Sequence, residues 1–222
     1  MRPFAEKVYH PFNWRDWQDF GSGALGDFGC HILDPVFGAL GLTAPVSVRA
    51  EHGGTNTEVW PGPETVTYVF PGTDRTAGNT INVIWRDGGL KPAIELAQMP
   101  AGETLPDSGS LFIGEAGTMV LQHVAMPKLY PVEKFASFAV PKEASLNHWH
   151  VWVDAVLAGT QTSDGFHYAG PLTETTQLGN VAARLPGREL VWDAAALKIT
   201  NVEEANALLT KTYRPGFEVP PA

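Results

Sequence analysis

Asp27, His31 and Asp34 stand at i, i+4 and i+7 of one stretch. On a helix turning about 100° per residue they fall within about 60° of one another, so the spacing predicts a single ionisable flank. A carboxylate one turn before an imidazole can touch it, and an imidazole so placed is suited to taking a proton near neutral pH. That is the chemistry of a general base working on a hydroxyl. The same spacing also fits a solvated flank with an ordinary ion pair. Spacing alone leaves both readings open.

Ahead of this stretch, Tyr9, Phe12, Trp14, Trp17 and Phe20 are interleaved with Asn13, Arg15, Asp16 and Asp19. Aromatic faces stack on apolar ring faces, and the polar groups between them bond hydroxyls, so the segment suits a sugar. The tryptophans could instead anchor a linker to the domain that follows. Metal chemistry fits less well. Asp27 and His31 have the spacing of two helical ligands, but a third must come from elsewhere, and His148 and His150 lie on a separate segment with no cysteine partner. No metal is expected. Cys30 has no evident base beside it and reads as a small hydrophobe rather than a nucleophile.

Gly21-Ser22-Gly23-Ala24-Leu25-Gly26 satisfies G-x-G-x-x-G, with Glu51 downstream near a strand end. A dinucleotide turn needs a buried parallel strand immediately before it. Here Arg15-Asp16-Trp17-Gln18-Asp19-Phe20 precede it, too charged to be buried on both faces. The glycines are expected to bring the helix start close to a neighbour or a ligand.

These residues need a scaffold. Residues 1–20 show no helix or strand period and read as a linker, while residues 21–222 read as one α+β domain. Leu25, Phe28, Ile32, Val36 and Ala39 recur at helical spacing, with Ser22 placed to cap the helix and Pro35 to kink or divide it. Period-two stretches predict strands over 46–52, 65–70, 80–86, 93–97, 111–114 and 119–122. Helices are expected over 147–158, 172–184 and 202–210, with a short strand near 189–192. The result is a large, mostly antiparallel sheet with helices packed on one face and the other face still to be covered. Val66, Tyr68, Phe70, Val83 and Trp85 give it an apolar surface, which either a second subunit covers or the interior contains.

A net charge of -9, with 15 Lys and Arg scattered along 222 residues, offers no basic patch for phosphates, so nucleic acid is not an expected partner. One cysteine forms no internal disulfide, and the first twenty residues lack the apolar core of a signal peptide. No run approaches the ~20 apolar residues of a membrane span. A cytoplasmic protein is expected, with no membrane partner.

The stretch from Asn13 to His31, NWRDWQDFGSGALGDFGCH, resembles the W-R-x-W-x-D-F-G-x-G-x-L-G-D-x-G-x-H segment of bacterial Gfo/Idh/MocA oxidoreductases. Residues 166–174, 178–184, 192–193 and 213–217 resemble the closing half of the same C-terminal domain. The resemblance implies that His31 accepts a hydroxyl proton while hydride leaves the same carbon, with Asp27 orienting substrate and imidazole. It places Arg15, Trp17 and Trp14 against a sugar or polyol. It implies NAD or NADP in the full-length enzyme, and a homo-dimer or tetramer through the exposed sheet face. Family members begin with a Rossmann domain and an E-K-P motif, and this sequence has neither; Glu133-Lys134-Phe135 is not that motif. The chain alone is therefore expected to bind no cofactor and to transfer no hydride. Three readings go forward: the C-terminal substrate-binding half of an NAD(P)-dependent sugar oxidoreductase, a related NAD-dependent glycosidase, and a non-catalytic sugar-binding or oligomerisation module.

Overall fold

A computed structural model of the protein describes residues 3–10, 12–54, 57–141 and 145–219. Met1, Arg2 and Pro11 of the expected linker lie outside the described residues, as do residues 55–56, 142–144 and 220–222 of the expected domain. After a 3-10 turn (Asn13–Asp16) come helix α1 (Gly23–Leu40) and strands β1 (Ser47–His52), β2 (Glu64–Pro71) and β3 (Thr80–Arg86). Next are β4 (Gly109–Ile113), β5 (Thr118–Gln122), β6 (Lys128–Tyr130), and helices α2 (His148–Ala158) and α3 (Phe166–Ala183). Strands β7 (Leu190–Asp193) and β8 (Lys198–Ile199) follow, and a 3-10 helix (Glu203–Leu208) comes after them.

Along β2 every second side chain is buried, Glu64, Val66, Tyr68 and Phe70, because successive residues of a strand face opposite sides. Antiparallel pairing with β1 and β3 sets Val48, Ala50, Val83 and Trp85 on the same face. This sheet runs β3-β2-β1-β7-β8, and α1 and α3 cover the apolar face. Phe37 of α1 meets Phe70 edge-on, with centroids 5.6 Å apart. Burying such rings stabilises the fold by about 1.5 to 3 kcal/mol each relative to exposure. The apolar strand surface is thus interior, of the two covers its pattern allowed. The opposite face carries Arg49, Glu51, Thr65, Thr67, Val69, Asn82 and Ile84, all exposed or half-buried.

The α+β class and the antiparallel pairing match the sequence expectation, although the strands divide into two sheets. The second, β4-β5-β6, has its own small core of Ala97, Leu105, Val120 and Tyr130. It is tied to α1 where the Ser110 hydroxyl donates to the Ile32 carbonyl at 3.1 Å.

Some local expectations are corrected. Residues 93–97 form no strand but a 3-10 turn (Ile94–Ala97), closed where Gln98 adopts φ +53. The alternating Ile94-Glu95-Leu96 mimicked a strand, yet Ile94 and Leu96 are exposed and only Ala97 is buried. Residues 203–208 likewise form a 3-10 helix, because the Asn206 side chain bonds both the N–H and the carbonyl of Ile199 and holds the segment against β8. Helix α1 runs through Pro35 undivided. Helix α3 begins six residues earlier than expected and accepts Pro171 at the cost of one backbone hydrogen bond. Ser22 occupies the N-cap position of α1 but makes no side-chain cap; its carbonyl accepts from Gly26 N–H and from Asn180 Nδ2.

Candidate functional site

Helix α1 buries Leu25, Gly29, Leu33, Val36 and Phe37 and leaves Asp27, His31 and Asp34 exposed. The expected stripe is displaced on the helix: Phe28 and Ile32 sit at its half-buried margin. That margin matters, because there α1 meets the β4-β5 hairpin in an open cleft of about 390 Å³. His31, Ile32 and Pro35 line it from the helix, and Gly109, Ser110, Leu121, Gln122 and His123 from the hairpin.

Three rings cluster at its edge. Phe28 lies 5.6 Å from His31 and 5.0 Å from His123, centroid to centroid, and the two imidazoles are 6.0 Å apart. Pro35 has no N–H to give the His31 carbonyl one helical turn earlier, so this acceptor lacks its helical partner. The lining therefore mixes apolar surface with imidazole, hydroxyl and amide groups, a composition suited to a small polyhydroxylated ligand.

Asp27 is engaged from the other side. Arg15 Nη1 donates to Asp27 Oδ2 at 2.9 Å, while the Arg15 guanidinium also lies 3.4 Å from Asp16 and stacks over Phe12, 4.1 Å from its ring centroid. Among the described residues the Asp27 carboxylate makes no hydrogen bond to His31. Asp34, the third member of the flank, accepts from the Tyr168 hydroxyl at 2.7 Å. Burial and this carboxylate both raise the Tyr168 phenol above its ordinary value. Asp34 thus fastens α1 to α3 and stands apart from the cleft.

The aromatic segment docks onto the domain rather than trailing from it. Trp17 bridges Val59, Gln18 N–H donates to the Glu58 carbonyl, and Trp60 N–H to the Asp16 carbonyl. Tyr9 packs edge-on against Trp17 and Phe20 at 5.1 and 5.4 Å. Trp14 is 47% exposed, the one tryptophan of the segment with a free face to offer a ligand. The structure brings Arg15 to Asp27 and His31 to the cleft; Trp14 and Trp17 are not among the cleft's lining residues.

The glycine run serves packing. Gly23 has φ +67, and a Cβ there would meet Trp60 at 2.7 Å, while Trp60 Nε1 donates to the Gly21 carbonyl at 2.8 Å. A 3-10 turn, not a strand, precedes the run, so the run lacks the buried strand that a dinucleotide turn needs. Among them no group of three or more His, Cys, Asp or Glu could hold a metal ion. No described helix is long and apolar enough to cross a membrane. Cys30 is half-buried, its thiol directed to the Asp27 carbonyl at 3.6 Å.

His123 and Ser110 went unread in the sequence. Both stand at the ends of short strands whose alternation says nothing of a distant helix, and the only signal was an ionisable ring directly after β5. No protein-family model and no curated protein matches this chain, so its own residues carry the functional argument.

Proposed function

We propose that this chain is the substrate-binding half of a sugar or polyol oxidoreductase of the Gfo/Idh/MocA kind, with His31 as the base for the reacting hydroxyl. One observation carries the reading: His31 is exposed on a firmly packed helix and lines a cleft whose other wall adds hydroxyl, amide and imidazole groups. Arg15 Nη1 donates to Asp27, one turn before His31 on α1, and so fixes that carboxylate beside the base. The Asp16–Arg15–Asp27 chain and the exposed face of Trp14 extend a hydroxyl-binding surface beyond the cleft. NAD or NADP would serve as oxidant, held by a nucleotide-binding domain joined to this chain.

The test joins this chain to a dinucleotide-binding domain of the same family and measures NAD(P) reduction over a panel of sugars and polyols. His31→Ala should lower kcat at least ~100-fold, in the range of general-base loss. Equal rates for parent and variant remove His31 from the reaction. Sugar release from a glycoside without net reduction would turn the reading toward the glycosidase.

The open face of the five-stranded sheet supports a second copy as partner. Thr65, Thr67 and Asn82 alternate there with Val69 and Ile84, and Ser47, Arg49, Glu51 and Glu189 border a shallow groove of about 320 Å³. Mixed polar and β-branched composition of this sort suits face-to-face sheet packing in a homo-dimer or tetramer.

A further inference from the structure

We infer that His123 is a second imidazole on the reacting oxygen, donating a hydrogen bond to the same hydroxyl whose proton His31 accepts. The inference rests on the reading of the cleft as a sugar or polyol site and adds to it a residue from the opposite wall.

The geometry is specific. An N–H···O bond of about 2.9 Å puts an oxygen roughly 4 Å from an imidazole centroid. Two imidazoles 6.0 Å apart can therefore share one oxygen with an angle of roughly 100° at it, close to the tetrahedral directions of a hydroxyl's proton and lone pairs. The same separation suits a metal poorly. Zn–N bonds of ~2.0 Å place the ion about 3.2 Å from each centroid, which opens the angle at the metal to roughly 140°.

The hairpin is built to hold this ring in place. The His123 backbone N–H donates to the Ser108 carbonyl at 3.0 Å, one step past the β4-β5 ladder, and Ser110 fixes β4 to α1 at Ile32. The next residue, Val124, turns the chain with φ +59 while 89% exposed. A β-branched side chain in that region is strained by ~1 kcal/mol or more, and no burial of Val124 offsets it. The turn is closed by Ala125 N–H donating to the Gln122 carbonyl, and Val124, Ala125 and Met126 continue the cleft wall beyond His123. Phe28 packs against both imidazoles, tilted to His31 and edge-on to His123.

In that arrangement neutral His31 accepts the hydroxyl proton, and the His123 N–H stabilises the negative charge as it develops on oxygen. The ligand class that follows is a secondary alcohol of a sugar or cyclic polyol, small enough to enter between helix and hairpin.

Histidine side-chain NMR of the full chain, titrated with myo-inositol and with D-glucose, tests this directly. The expected result is that the His31 and His123 ring signals move together along one binding curve, while those of His150, exposed on α2, stay still. His123→Ala should weaken binding roughly five- to tenfold, the loss of one neutral hydrogen bond, and His123→Gln, which keeps a donor, should restore most of it. A merely structural His123 would give no ring shift and no rescue. Movement of His31 alone, or unchanged binding by His123→Ala, overturns the inference and leaves the proposed function standing. If neither ring responds to either probe, the sugar-site reading falls and the inference with it.

Discussion

Arg15 Nη1 sits 2.9 Å from Asp27 Oδ2, joining the aromatic segment to the first turns of α1. The two side chains are 25% and 48% exposed, so solvent screens the pair and its contribution to stability is small, about 0 to 1 kcal/mol. Its value lies in placing the carboxylate. Asp27→Asn should therefore change the unfolding free energy by less than ~1 kcal/mol while lowering kcat/KM by at least ~10-fold in the joined enzyme. Chemical denaturation beside steady-state kinetics separates the two effects; a large stability loss with unchanged kinetics would make Asp27 a structural residue.

Glu64 predicts how stability depends on pH. The residue is 3% exposed, and burial, with Asp87 nearby, pushes its pKa up to about 8. Asp87 is raised too, chiefly by burial. The folded state thus holds a proton that the unfolded chain releases near pH 4.5. The stabilisation linked to that proton is whole below about 4.5, declines as pH rises, and is gone above about 8, at up to ~1.4 kcal/mol per pH unit. Thermal melts from pH 6 to pH 9 should show a falling Tm. Glu64→Gln, uncharged at every pH, should flatten that slope and raise Tm at pH 9; identical slopes in the two proteins would contradict it.

Much of this fold was legible in the residues. Period-two burial identified β1, β2, β3 and β5 closely because one face of each is buried against something apolar. Helical spacing located α1, since Leu25, Val36 and their neighbours face the core. What escaped were features set by distant partners. Ile94-Glu95-Leu96 alternates like a strand, but no neighbouring strand pairs with it. The three residues of β6 and the two of β8 are too short to show a period. His31 and Asp27 were readable from helical geometry, whereas Asp27's engagement by Arg15 depends on how residues 13–21 dock against residues 58–60. His123 reaches His31 only because two short strands fold back on α1, a relationship no local pattern encodes.

The open sheet face should reveal whether it meets a second copy. Ile84 is 43% exposed on the edge strand β3, and Thr67, the residue paired with it, borders the groove with Arg49 and Glu51. Ile84→Lys places a charge where an interface would need to be dry, and should shift sedimentation toward monomer without changing the circular dichroism spectrum. A parent chain that sediments as a monomer at all concentrations would remove this face as an interface between copies.

Helix α3 approaches β2 so closely at Gly179 that a Cβ there would lie 2.0 Å from Tyr68 Oη and 2.4 Å from Leu25 Cδ2. Tyr68 is fully buried and its hydroxyl has no hydrogen-bond partner among the described residues, so the oxygen is lodged against the glycine at a desolvation cost. Gly179→Ala should destabilise by about 1 to 3 kcal/mol, because neither the ring nor the helix has room to retreat. Tyr68→Phe removes the unpaired oxygen and should be close to neutral or mildly stabilising. The double variant then discriminates: with the oxygen gone, the 2.0 Å contact is relieved and the alanine meets the movable end of Leu25 and the ring's Cζ at 3.1 Å, so the combined cost should fall below the sum of the single costs by ~1 kcal/mol. Strict additivity in denaturant unfolding would mean that the helix, not the tyrosine, absorbs the added methyl.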